Sequence, residues 1–351
     1  MEPVRLGVVG CGVMGNRHLA GAAESPLLEP VAVADLVRER AEASAEKFGV
    51  AKAYDDGKEL IADPDVDAVV FATVTAHRNE LAIEALKAGK HVLVEKPVAL
   101  TAGDVQRMID VRGDRVAACC SGRFHFFDSA RKATEFIATG ALGELRVIHC
   151  RVHEGARGTP KKSPPNWRMN KSLNGGGILV NWGCYDLDYL LGITGWTLKP
   201  RMVLAQTWTV PARSVPNVAE GSDAESHLAA LIRCENGAVI SYERGEYTSA
   251  HSQKAWQIVG TDGSLNLIMT PYDPKVITHD DTSTEQGVLS RTIWESGDKG
   301  ERTTQQMVVD FAEAIVEGRE PQTTLEKSLL IQKITDAIYE SADTGRAVEI
   351  Q

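Results

Sequence analysis

The chain has 351 residues, 43% hydrophobic and 25% charged, with 38 lysines and arginines against 48 aspartates and glutamates. That length suits two domains of about 100–200 residues, with a core large enough to need no disulfide scaffold. The net charge of −10 argues against nucleic acid or an anionic membrane as the main partner, and no run approaches the ~18 apolar residues of a spanning helix.

From the N-terminus, Val4–Gly10 is a β-branched run that ends in glycine, and Val13–Glu24 has helical spacing. Pro30–Asp35 is a second strand, Arg38–Phe48 a helix stopped by Gly49, and Asp67–Val74 a third strand. Asn79–Ala88 is a helix, His91–Glu95 a strand ended by Pro97, Thr101–Arg112 a helix and Arg115–Cys120 a strand. Apolar strands alternating with helices predict βαβ units and a doubly wound parallel sheet, placed here as a Rossmann domain over residues 1–122.

After Gly122 the pattern changes. One more helix, Asp128–Thr139, is followed by long strands at Glu144–His153, Arg201–Val210, Ala224–Cys234 and Ala238–Tyr247. The last two flank Asn236-Gly237, the strongest short hairpin signal. Gln253–Gly260 and Ser264–Met269 form a second hairpin, and helices near Gln305–Glu317 and Leu325–Ala342 close the chain. Residues 123–351 are therefore expected to be an α+β domain with a large, mostly antiparallel open sheet. The long Pro-, Gly- and Lys-rich segment from Ala156 to Gly176 is expected to serve function.

Six cysteines without a C-x-x-C pair, and no signal sequence, fit free thiols in the cytoplasm. His149, Cys150 and His153 lie close in sequence, but strand alternation turns Cys150 away from both histidines. No metal site is expected.

Gly10-Cys11-Gly12-Val13-Met14-Gly15 is a G-x-G-x-x-G loop between a strand and a helix. Its glycines allow a tight turn and close approach of a pyrophosphate, whose charge the helix N-terminus favours. Asp35 stands 20 residues beyond Gly15 at the end of the second strand. A carboxylate there bonds a ribose 2′-hydroxyl and repels a 2′-phosphate, favouring NAD, with NADP possible because Arg38 follows. Glu95-Lys96-Pro97 ends a strand of the same sheet, so Lys96 faces the ligand side.

Together these motifs resemble the glucose–fructose oxidoreductase / inositol dehydrogenase / MocA family. Further matching pieces are Phe71-Ala72-Thr73, the run from Glu80 to Val92, Trp167-Arg168 and Gly175-Gly176-Gly177, all in the family's order. The resemblance implies hydride transfer between nicotinamide C4 and a secondary alcohol or ketone of a sugar, cyclitol or related polyol. It implies cofactor contacts from Gly10, Gly12, Val13, Met14, Gly15, Asp35, Thr73, Glu95, Lys96 and Arg168. It also implies substrate contacts from Lys96, Arg123, His125, Trp167, Asn181 and Tyr185, and a homodimer or homotetramer formed through the C-terminal sheet.

Four positions depart from the family pattern. Asn181 and Tyr185 stand where members commonly carry aspartate and histidine, and Asp188 follows on the same helical face. Asn181 cannot take a proton, so acid–base work is expected to move to Tyr185 and Lys96, with Asn181 orienting the reacting group. Val74 follows Thr73 where proline is usual, and Arg78 replaces a histidine. Two other readings remain open: a redox-neutral, NAD-using glycoside-cleaving enzyme, and a cofactor-sensing regulatory protein without turnover.

Overall fold

The structure, a computed structural model, describes residues 2–156, 158, 164–270, 275–283, 285–296 and 303–351. It divides into two compact units: Met1–Arg123 with Arg302–Gln332, and Phe124–Glu301 with Lys333–Gln351.

In the first unit, β1 (Val4–Val9), β2 (Leu28–Ala34), β3 (Lys52–Tyr54), β4 (Ala68–Phe71), β5 (His91–Val94) and β6 (Ala117–Cys119) form a parallel sheet in the order β3-β2-β1-β4-β5-β6. Five helices connect them: α1 (Val13–Glu24), α2 (Arg38–Phe48), α3 (Gly57–Ala62), α4 (Thr75–Lys87) and α5 (Ala102–Arg112). All four residues of β4 are buried, as a strand covered on both faces requires. The chain reverses its winding between β1 and β4, so ligands of such a sheet bind outside the carboxyl ends of those strands.

In the second unit, α6 (Asp128–Ala138) precedes β7 (Leu145–Gly155), α7 (Lys171–Asn174) and a π-helical turn (Leu179–Gly183) that runs into α8 (Cys184–Ile193). The strands β8 (Pro200–Thr209), β9 (Glu225–Cys234), β10 (Val239–Thr248), β11 (Gln253–Gly260), β12 (Gly263–Leu267), β13 (Lys275–Ser283), β14 (Gly287–Ser296) and β15 (Val348–Glu349) complete its sheet. The order is β14-β13-β12-β11-β7-β10-β9-β8-β15, and only β7 and β10 pair in parallel among the described strands. Along β9, Leu228, Ala230 and Ile232 are buried while Leu231 and Arg233 are exposed, so one face meets the core and the other looks outward. Each fully buried Leu or Ile contributes about 1.5–3 kcal/mol relative to exposure.

Two more helices, α9 (Thr303–Glu317) and α10 (Leu325–Thr344), follow. A single break after residue 122 needs correction here, because the chain returns to the first unit over Arg302–Gln332. There α9 packs on α1, with Val308 against Gly21. An amphipathic helix announces that it buries a face but not which layer receives it.

Candidate active site

The glycine loop follows β1 at the switch point. Gly10 has φ +98°, and a Cβ there would lie 2.8 Å from the carbonyl carbon of Ala72. A Cβ at Gly15 would lie 1.8 Å from the Gly10 carbonyl oxygen, so only glycine lets α1 start so close to β1. Gly12 faces open space and caps α1 without a side-chain hydrogen bond. The first N–H groups of α1 are therefore available to an anion.

Asp35 joins this loop. Its carboxylate accepts hydrogen bonds from the backbone N–H of Cys11 (2.8 Å) and of Val37 (2.9 Å), fixing the acid beside the loop. Arg38 pairs with two carboxylates: it bonds Glu42 at 3.0 Å and lies 3.7 Å from Asp55. Leu36 beyond Asp35 is 84% exposed, a large apolar side chain without cover. An uncapped helix start and an open glycine suit the pyrophosphate of a dinucleotide, with a carboxylate fixed beside them.

Lys96 follows β5, two strands beyond β1 at the same end of the sheet. Glu95 beside it is buried. Its Oε1 lies 2.9 Å from Nε2 of His18 on α1, and its Oε2 accepts the Lys96 backbone N–H at 3.1 Å. Burial would raise the Glu95 carboxyl, but His18, by hydrogen bond and charge, and then Lys96 and Arg123 hold it down at about 2. Arg78, also buried, ties the two halves of this edge together. It donates to the Thr73 carbonyl (2.8 Å) and to the Pro97 carbonyl. The arginine in the histidine position thus links the segment after β4 to the segment after β5. Burial pushes the Cys11 thiol to about 11 and the Cys120 thiol well up, so neither is a nucleophile near neutral pH.

The second unit contributes a cavity of about 580 Å³, lined among others by Glu154, Arg168, Trp182, Arg244, Glu246 and Lys254. Arg168 bonds Glu246 through both guanidinium ends, at 3.1 and 2.8 Å. Burial opposes the Arg168 charge, and the Glu246 carboxylate more than restores it. The Arg244 guanidinium lies 4.7 Å from the Trp182 ring centre and pairs with buried Asp186, to which Tyr242 also donates (3.0 Å). Tyr247, on the same wall, has φ +60°, a conformation that costs a non-glycine residue of order 1–3 kcal/mol. The Thr270 hydroxyl, also on the wall, is buried with no hydrogen-bond partner among the described residues.

Asn181 sits in the π turn, where the wider spacing departs from the expected i, i+4, i+7 face. Its amide donates to the carbonyls of Gly177 (2.7 Å) and Arg168 (3.0 Å) and accepts from Asn174 (3.3 Å). Both amide hydrogens are thereby used. Tyr185 is 2% exposed and meets Phe124 and Trp182 edge-on. Asp188 bonds His125 at 2.9 Å, so His125 is held by an acid of α8. Trp167 is half-buried; Trp182, not Trp167, is the tryptophan among the described lining residues. Arg123 is half-buried in the first unit.

The helix carrying these residues is fixed from across the sheet. The Glu225 carboxylate of β9 accepts the N–H groups of Gly177 (2.9 Å) and Leu179 (2.9 Å) and the Tyr339 hydroxyl (3.0 Å). Sequence reading missed Glu225, His18, the Arg78 clamp, and Trp182, Glu246 and Lys254 of the cavity. The main partners of Glu225, His18, Glu246 and Lys254 lie more than 40 residues away, and the Arg78 clamp depends on two strand ends meeting, so no local spacing marks them.

Residues 4–118 match the oxidoreductase family with an NAD-binding Rossmann fold, and residues 130–266 match the Gfo/Idh/MocA C-terminal domain. The dTDP-3,4-didehydro-2,6-dideoxy-alpha-D-glucose 3-reductase of Streptomyces violaceoruber is 31% identical over 76% of this chain and 73% of the relative. The chain belongs to the Gfo/Idh/MocA oxidoreductase family. Another member, the levoglucosan dehydrogenase of Pseudarthrobacter phenanthrenivorans, is 27% identical over 100% of this chain and 99% of its own. The fold is that of a levoglucosan dehydrogenase solved with NADH and L-sorbose, with TM-score 0.85 and 24% identity over the whole of both chains. In this Gfo/Idh/MocA member no helix among the described residues is long and apolar enough to cross a membrane.

Proposed function

We propose that this oxidoreductase moves a hydride between NAD(H) and a secondary alcohol or ketone of a sugar, cyclitol or related polyol. One observation carries the reading: the glycine loop, Thr73 and Lys96 follow three neighbouring parallel strands, β1, β4 and β5, at their carboxyl ends. The nicotinamide, when bound, supplies the hydride acceptor or donor. The protein's part is to bind, orient and handle the proton.

Gly10, Gly12, Val13, Met14 and Gly15 hold the pyrophosphate, and Asp35 takes the ribose 2′-hydroxyl. Because Arg38 is spent on carboxylates, the cofactor preference is NAD over NADP. Lys96, with Glu95 fixing its backbone, and Tyr185 are the acid–base groups for the substrate hydroxyl. Asn181 holds the Arg168 segment rather than a proton. In the second unit, Trp182 offers an apolar ring face, Glu154 and Glu246 accept hydroxyls, and Arg168, Lys254 and Thr270 donate. An aromatic face among alternating donors and acceptors suits a polyol. The outward sheet face exposes Leu204, Trp208 and Leu231 at 51%, 46% and 55%, and supports a homodimer or homotetramer through that face. Six free, buried thiols support a cytoplasmic setting.

The test is NADH formation with a panel of sugars, cyclitols and sugar acids, with Lys96→Met in parallel. A rise that Lys96→Met abolishes is expected. No change in NAD or NADH with any alcohol or ketone, alongside tight NAD binding, would overturn the reading and favour the regulatory one. Substrate cleavage without net NADH would favour the redox-neutral one.

A further inference from the structure

Two histidines and a glutamate meet on the outward face of the second unit's sheet, away from the cavity. In register, Gly245 of β10 stands between His153 of β7 and His227 of β9. A Cβ at Gly245 would lie 2.9 Å from the His227 ring. Its absence leaves a slot into which both imidazoles turn, their centres 5.5 Å apart. Glu243, two residues earlier on the same face, places Oε1 2.8 Å from His153 Nε2 and 3.1 Å from His227 Nε2. All three donor atoms lie within 4.8 Å of one another.

His153 is the decisive member. It is 6% exposed, and its Nε2 forms no properly angled hydrogen bond although the carboxylate oxygen is close. A buried ring nitrogen aimed at an acid but off the hydrogen-bond direction lacks its natural partner. The other Glu243 oxygen faces Arg151 Nε at 3.3 Å, which leaves Oε1 to the cluster. Burial would raise the Glu243 carboxyl, yet the two imidazoles hold it below its ordinary range.

We propose that His153, His227 and Glu243 bind a zinc-class divalent cation, with a position left open for water. Two imidazoles and one carboxylate are a known zinc donor set. Metal–donor distances of about 2.0–2.1 Å in tetrahedral geometry put donors roughly 3.4 Å apart, so the two carboxylate–imidazole spacings of 2.8 and 3.1 Å need to open by about 0.3–0.6 Å. The same strands carry Glu154, Arg244 and Glu246 on their opposite face, where they line the cavity. The ion ties β7, β9 and β10 together directly behind that wall.

Full-length protein, stripped with chelator, would be titrated with zinc chloride and, separately, with cobalt(II) as a spectroscopic probe. One equivalent per chain is expected, with the absorption of a low-coordinate cobalt site. His227→Gln and Glu243→Gln should each weaken binding at least tenfold, and His149→Gln, on the same face, should leave it unchanged. Circular dichroism checks that the variants fold. Independently of any variant, zinc should shift the ring signals of only two of the nine histidines in NMR spectra of the wild type. No uptake of either metal at micromolar concentration, unchanged binding in both ligand variants, or shifts spread over other histidines would overturn the proposal.

Discussion

The two units carry polar chemistry in opposite ways. In the first, functional groups hang at the ends of short parallel strands, and local sequence sets their positions: a glycine loop after β1, an acid after β2, a lysine after β5. In the second, charges sit along the length of long strands and meet across the sheet. The Asp186–Arg244–Tyr242 cluster, the Arg168–Glu246 pair and the His153–His227–Glu243 trio each join residues 16 or more apart in sequence. The first arrangement is read from a motif. The second exists only once the register is fixed.

The sharpest test of the strand-end arrangement is Lys96→Met. A lost acid–base group lowers turnover by about 10²–10⁴-fold, and NADH affinity should hardly move because the glycine loop is untouched. Near-normal turnover would remove Lys96 from the chemistry.

In the second unit, Arg244→Met leaves buried Asp186 without its ion-pair partner. It should cost about 3–5 kcal/mol in denaturant unfolding, while the Asp186→Leu/Arg244→Met pair should recover most of that loss. A double variant as unstable as the single one would show that packing, not charge, holds the cluster.

The first unit has its own buried pair. The Glu95 carboxyl titrates near 2 when folded, against an ordinary value of about 4.3. Its folded value is depressed, so its contribution is complete above about pH 4.3 and is lost as pH falls toward 2. That contribution is roughly 3 kcal/mol, from the difference between about 4.3 and about 2. In His18→Leu the depressing partner is gone and burial dominates. The stability gap to wild type should therefore be wide at pH 6 and narrow as pH approaches 3. A gap independent of pH would mean that His18 acts through packing alone.

The smallest effect concerns the cofactor. Asp35→Ser should raise the NADP-to-NAD preference about tenfold, near 1.4 kcal/mol, by removing the charge opposed to a 2′-phosphate. An unchanged ratio would mean that the acid serves only its Cys11 and Val37 hydrogen bonds.

How much the sequence disclosed follows the same division. The alternation of apolar runs and helices foretold the parallel sheet, and strand alternation correctly buried Ile148, Cys150 and Val152 on one side of β7. Strands β3 and β15 have three and two residues, too short for a period to register. β14 is exposed or half-buried at every position and so carries no buried alternation to find. At the site, the loop and Lys96 were visible because backbone geometry demands glycine or a strand end there. The bonds of Asn181 to Gly177 and Arg168 were not legible, because they depend on a π turn that no composition rule foretells.

The Glu225 carboxylate has an evolutionary consequence. The start of the segment bearing Asn181 and Tyr185 is gripped by an acid from β9 and backed by Tyr339, while Asn181 ties it to Asn174 and to the Arg168 carbonyl. All of these holds lie at Arg168 or beyond it in the chain. Residues ahead of Arg168 can therefore change in length or composition among descendants while the helix keeps its aim. New substrate tolerance can arise there, with Glu225 and Asn181 as the positions that keep the helix in place.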